Sequence, residues 1–143
     1  MPRMERSVII KAPIEKVWAY EDDVNNATKW SSNIVEAKLT SPGPTRVGTT
    51  YAYIIQVIGQ KMETTGEITA YDPPRTSAWK SIKSPFPMSG STVLESVEGG
   101  TRVKQTIDAQ PGGFFKLAEP LLVKQQQSQM EADLAKLKQI LEA

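Results

Sequence analysis

The chain has 143 residues, 17 Lys+Arg against 16 Asp+Glu, and neither Cys nor His. That length suits one domain, residues 1–143, with a sizeable core. The missing Cys and His exclude disulfides, thiolate nucleophiles, the commonest zinc sites and His-based triads, so any chemistry falls to Asp, Glu, Lys, Arg, Tyr, Ser or Thr.

Neither a basic stripe nor an acidic tail is present, so nucleic acid is not an expected partner. The apolar run Val8-Ile9-Ile10 is far too short for a signal-peptide core or a membrane span. The expectation is a cytoplasmic protein without integral membrane association. A homodimer is left open by the sequence.

Residues 6–11 read as a first strand, ended by Ala12-Pro13. Pro13 suits the first turn of a helix, and Ile14, Val17 and Trp18 give it one apolar face, ending near Glu21. Asp22 or Asp23 can cap a second short helix that holds Val24 and Ala27 and finishes at Trp30-Ser31. The adjacent Asp pair has no further ligand spacing, so no metal site is expected.

Strands follow at 34–40 and 48–58, with a tight turn at Gly59-Gln60. Residues 62–71 alternate, with Met62, Thr64, Ile68 and Ala70 on one face and Lys61, Glu63, Thr65, Glu67 and Thr69 on the other. Strands at 76–83 and 88–97 flank Ser84-Pro85-Phe86-Pro87. A hairpin turn at Glu98-Gly99-Gly100 leads into a last strand that places Val103, Gln105, Ile107 and Ala109 on one face.

From Pro120 the chain is free of Gly and further Pro to its end and rich in helix formers. Residues 120–141 would make a rod of roughly 33 Å at ~1.5 Å per residue. Val123, Met130, Leu134, Leu137 and Leu141 fall on one stripe, which Gln126 and Gln127 interrupt. Phe114, Leu117, Leu121 and Leu122 point elsewhere. The C-terminal half is therefore expected to clamp a sheet, and the N-terminal half to roof a cavity.

Strand, two helices, six strands and a long helix make an α+β antiparallel meander. Val8-Ile9-Ile10, Ala12-Pro13, Glu15, Val17-Trp18, Asp22 and Trp30, in that order, resemble the opening of the START-related superfamily in its polyketide cyclase/dehydrase-like branch. Gly48, Gly59, Pro73-Pro74, Gly100-Thr101 and the terminal helix stand where that family has theirs. The resemblance covers essentially the whole chain. It implies a helix-grip fold: a seven-stranded antiparallel sheet wrapped around the C-terminal helix, with a ligand cavity between. It does not imply a reaction, because relatives variously bind lipids, polyketides or other small molecules, and only some are enzymes.

Alternation on 48–58 puts Tyr51, Tyr53, Ile55 and Val57 on one face. We expect that face to line the cavity, since an aromatic body with a polar tip suits a small-molecule pocket. Met62, Trp79 and Leu94 are its expected neighbours across the sheet. Gln105 breaks an apolar face and needs a partner, which Gln126 or Gln127 could supply. Phe114, Leu117, Leu121 and Gln127 are the expected contributions from the terminal helix region. Phe114-Phe115 and Phe86 could flank an entrance with a glycine hinge, or tuck into the core. Lys116 and Glu119 are read first as solvated helix charges, and no catalytic residue is assigned.

The leading expectation is a binder of a hydrophobic or aromatic small molecule (a lipid, polyketide or similar), with no cofactor. The alternative is a cyclase/dehydratase-type enzyme that folds a reactive chain in the same cavity, which a carboxylic acid of strongly raised pKa inside it would favour. A protein-interaction module finds little support in a neutral chain without an extended tail.

Overall fold

A computed structural model describes residues 3–57, 59–84, 86–110 and 112–143, apart from the side chains of Val57, Phe114 and Phe115. Strand β1 (Arg3–Ile10) leads into helix α1 (Ile14–Glu21), a short 3-10 turn (Val24–Asn26) and helix α2 (Ala27–Trp30). Strands β2 (Ile34–Leu39), β3 (Thr50–Val57), β4 (Gln60–Asp72), β5 (Thr76–Lys83), β6 (Met88–Val97) and β7 (Gly100–Ala109) follow. A one-turn helix α3 (Phe114–Leu117) precedes the long helix α4 (Glu119–Glu142). The α+β helix-grip architecture is the one expected.

The strands form one antiparallel sheet in the order β1-β7-β6-β5-β4-β3-β2. Every consecutive pair from β2 to β7 is neighbouring, so the sheet is a meander closed at one edge by β1. The turns into β4 and β7 each contain a glycine with positive φ, Gly59 at 72° and Gly99 at 84°, a conformation that a Cβ disfavours. The helical insertion α1–α2 links the two edge strands.

Helix α4 is tied along β1. Arg6 Nε donates to Glu131 Oε1 at 2.9 Å, Lys138 Nζ to the Ile9 carbonyl at 3.1 Å, and the Lys11 amide to Glu142 Oε2 at 2.8 Å. Its C-terminal half sits in the main core, where Leu134, Leu137 and Leu141 pack with Ile10, Val17, Trp18, Trp30, Leu94 and Val103. A smaller core holds Met4, Ala109 and Met130, with Phe86, Met88, Ile107 and Val123 packed around it. Phe86 therefore tucks inward instead of standing free in its loop; Pro85 beside it lies outside the described residues, as does Ile58.

One local reading of the strands is corrected. The alternation on β4 predicts Ala70 inward, but the pairing with β5 shifts register between Ile68 and Ala70. The extra residue reverses the parity. Tyr71 consequently faces the interior, 5.6 Å from the Trp18 ring.

Candidate functional site

A cavity of about 280 Å³ lies between the concave face of the sheet and the middle of α4. Its walls come from the end of α1, α2, strands β3 to β7, and Leu122, Val123, Gln126, Gln129 and Met130 of α4. The cavity exists because the stripe that packs so completely from Leu134 to Leu141 changes character above Met130. There the helix offers glutamines, which leave the facing sheet uncovered.

Tyr51, Tyr53 and Ile55 all border the cavity, which fixes the register of β3. The two tyrosine rings stand 4.7 Å apart at 40°. Trp79 and Gln105 border it as well. Both large aromatic walls rest on cross-strand glycines. Tyr51 pairs with Gly66 and Trp79 with Gly90. A methyl group on Gly66 would collide with the Tyr51 hydroxyl, and one on Gly90 would stand 2.7 Å from Trp79 Cζ2. Without side chains at these two positions, the rings lie against the sheet and leave room above.

The remaining expected residues sit elsewhere. Met62 is the cross-strand partner of Ile55, but the cavity does not reach it. Leu94 is 2% exposed and belongs to the main core, because β6 dips there beneath the packed half of α4. Leu117 and Leu121 are 87% and 57% exposed and point away from the sheet, since Pro120 starts α4 afresh after α3. Gln126 borders the cavity in place of Gln127, one helical position away. The side chain of Phe114 lies outside the described residues. Lys116 and Glu119 pair with each other at 3.3 Å and do not border the cavity. Among the described residues, no side-chain hydrogen bond joins Gln105 to either glutamine.

The polar end of the cavity holds acids that the sequence reading does not assign to the site. Glu21, the last residue of α1, borders it. Its Oε2 is sealed from solvent and has no hydrogen-bond partner among the described residues. Loss of hydration pushes the Glu21 carboxyl up to about 8; the neighbouring Asp22 charge adds to this, and a hydrogen bond with the Thr92 side chain opposes it. Glu21 is thus a neutral acid at pH 7. A signal for it exists in the sequence: Ile14, Val17, Trp18 and Glu21 continue one helix face, so a carboxyl falls where the stripe calls for an apolar group.

Asp22 accepts from the Tyr71 hydroxyl at 2.5 Å. Burial raises the Asp22 carboxyl, and this hydrogen bond holds it partly down. Burial, followed by the Glu21 and Asp22 charges, pushes the Tyr53 phenol up to about 12. Burial also raises Tyr51 and Tyr71. All three phenols therefore keep their protons at neutral pH. Asp23 caps the 3-10 turn by accepting from the Asn25 amide at 2.9 Å, the role expected of an Asp here. On α4, Asp133 is buried and accepts from Ser31 Oγ at 3.1 Å, the Ser32 amide at 3.0 Å and Ser32 Oγ at 3.1 Å. It pins the end of α2 beneath the helix. The Trp30 Nε1 is a second buried polar atom beside the cavity with no partner among the described residues.

Among the described residues no group of three or more acidic side chains is arranged to hold a metal ion. No described helix is long and apolar enough to cross a membrane.

Comparison with known proteins bears on what such a site is for. The profile of a family described as polyketide cyclase / dehydrase and lipid transport matches residues 1–142. No curated protein matches by sequence. Among solved structures, TTHA0849 from Thermus thermophilus superposes with a TM-score of 0.84 at 20% identity, covering 96% of this chain and 95% of that one. The ZhuI aromatase/cyclase from Streptomyces sp. R1128 gives 0.77 at 17% identity, over 99% and 93%. One half of the di-domain aromatase/cyclase BexL gives 0.76 at 16% identity, covering 99% of this chain and 50% of BexL. At such identities the likeness is one of fold.

Proposed function

This chain belongs to the polyketide cyclase/dehydrase and lipid transport family, and from that premise we propose that it binds a compact apolar or aromatic molecule in the cavity beneath α4. One observation carries the reading: the middle of the protein is left open, walled by Tyr51, Tyr53, Ile55 and Trp79, where neighbouring layers are packed shut. Burying a ligand there would gain ~25 cal/mol for each Å² of apolar surface removed from water. Small-molecule sites run from roughly 300 to 1,000 Å³, so this cavity suits one or two fused rings better than a long acyl chain. Gln105 and the tyrosine hydroxyls supply hydrogen-bonding groups to orient the guest.

Native mass spectrometry of the purified protein tests this. A co-purified small molecule, or one-to-one uptake of added naphthalene-type compounds, is the expected result. A protein that takes up none of them, with the cavity closed by side chains in solution, would overturn the reading.

A cyclase/dehydratase-type activity is the second reading, and Glu21 is the observation that favours it. A carboxylic acid still protonated near neutrality can hand its proton to a carbonyl or a departing hydroxyl, the step such chemistry requires. Its test is turnover of a bound poly-carbonyl compound: a Glu21→Gln variant that binds the compound and converts it as fast as wild type removes Glu21 from that role.

A further inference from the structure

The charged groups around the cavity are of one sign. Glu21, Asp22, Asp23 and Asp133 border it, and no Lys or Arg does among the described residues. Those left undescribed, Met1, Pro2, Ile58, Pro85 and Pro111, bring no charged side chain, and the chain has no His. Three of the four acids are already engaged. Asp22 holds Tyr71, Asp23 holds the Asn25 amide, and Asp133 holds Ser31 and Ser32. Glu21 keeps one oxygen, Oε2, buried and unpartnered. A carboxyl that borders the cavity with no cation beside it is costly to ionise unless a guest brings the positive charge.

We propose that the ligand is an aromatic molecule bearing a basic amine, seated with its ammonium against the Glu21 carboxyl and its rings against Tyr51, Tyr53 and Trp79. The proposal rests on the cavity being a ligand site at all. Carboxylate and phosphate ligands are disfavoured by the same arrangement, because a buried anion here meets no cation to offset its lost hydration. An ammonium meets a carboxyl it can ionise and the π-faces of two tyrosines and a tryptophan. The groups facing Glu21 are Asp22 on its own helix end, Tyr53 of β3, Tyr71 of β4 and Thr92 of β6. None of them is a competing cation.

The proton balance gives the proposal a signature. In the empty cavity the Glu21 carboxyl is neutral at pH 7. When the ammonium enters, the carboxyl gives its proton to bulk water and remains as the carboxylate of the ion pair. Amine binding at pH 7 therefore releases close to one proton, a release that shrinks as pH rises through about 8, whereas binding of a neutral analogue releases none.

The experiment is titration calorimetry at pH 7, in buffers of different ionisation enthalpy, with naphthylmethylamine, naphthylmethanol and naphthoate as probes. The expected order is amine, then alcohol, then carboxylate, with the amine at least about tenfold tighter than the alcohol. In Glu21→Gln the amine-to-alcohol ratio should fall to near one and the proton release should vanish. Thermal unfolding of the same sample reports whether the variant is folded. The inference is overturned if naphthoate binds as tightly as the amine, or if the amine's advantage survives in Glu21→Gln. Equal binding of amine and alcohol by wild type overturns this inference alone. Failure of all three probes to bind overturns the cavity reading as well.

Discussion

Trp79 on β5 covers its cross-strand partner Gly90 on β6 so closely that the glycine has no room for a methyl group: Cζ2 of the indole would lie 2.7 Å from it and the Thr106 carbonyl 2.8 Å. The same relation holds between Tyr51 and Gly66. Gly90→Ala must push the indole into the cavity or move two strands apart. Overpacking of this kind costs roughly 1–3 kcal/mol. Urea denaturation followed by tryptophan fluorescence should show that loss, together with a shifted native emission. Unchanged stability and emission would mean that the ring does not rest on the glycine.

Glu21 makes stability depend on pH in a defined window. Its carboxyl is pushed up to about 8 in the folded chain from an ordinary value of 4.5. The folded state therefore binds more protons than the unfolded one between these values, and stability falls as pH rises through them. Glu21→Gln has no such proton to lose. The variant should match wild type near pH 5 and exceed it by on the order of a few kcal/mol at pH 9. Denaturation curves of both proteins across that range make the comparison.

The Tyr71 hydroxyl holds down a neighbouring acid that burial raises. Tyr71→Phe removes the bond, so the Asp22 carboxyl should titrate higher still. A hydrogen bond to a charged group is worth about 1.5–3 kcal/mol, so the loss should fall in that range at pH values where Asp22 is ionised. It should shrink in acid, where Asp22 is protonated in both proteins. NMR titration of the Asp22 carboxyl carbon reads the shift directly.

Asp133 is the joint between α2 and α4. Asp133→Ala leaves the Ser31 hydroxyl and the Ser32 amide without their acceptor in a largely buried place, at a cost of about 2–4 kcal/mol. Asp133→Asn keeps one acceptor oxygen and should lose less. Hydrogen exchange should localise the loosening to the end of α2 and the start of β2.

The fold is legible in the sequence because its signals are local. Period-two runs on β4 and β7, glycines at the hairpins, and the Met130-to-Leu141 stripe each specify their own element. The cavity is legible in part for the same reason: Tyr51, Tyr53 and Ile55 share one strand face, and Gln126 interrupts a packing stripe. Tyr71 escapes the alternation because a bulge shifts parity, and nothing within β4 announces it. Leu94 sits in the core and not at the wall, since the alternation of β6 says which face is inward, not what covers it. Leu117 and Leu121 are apolar yet exposed, since their direction depends on how Pro120 restarts the helix. Glu21 is hard to single out although it sits on the apolar face of α1. Its partners Thr92 and Tyr53 are distant in sequence, and only the closed sheet brings them to it.

A binding isotherm of naphthylmethanol against wild type and a cavity-filled variant, Ser77→Phe, decides whether the cavity is the ligand site. Ser77 borders the cavity two residues from Trp79 on the same strand face. A phenyl ring there takes up space the ligand needs beside its cross-strand neighbours Tyr71 and Thr92, and thermal unfolding of the variant reports whether the fold tolerates it. One site per chain in wild type, weakened at least about tenfold in the variant, is the predicted result. Equal affinity in the two proteins would place the ligand outside the cavity.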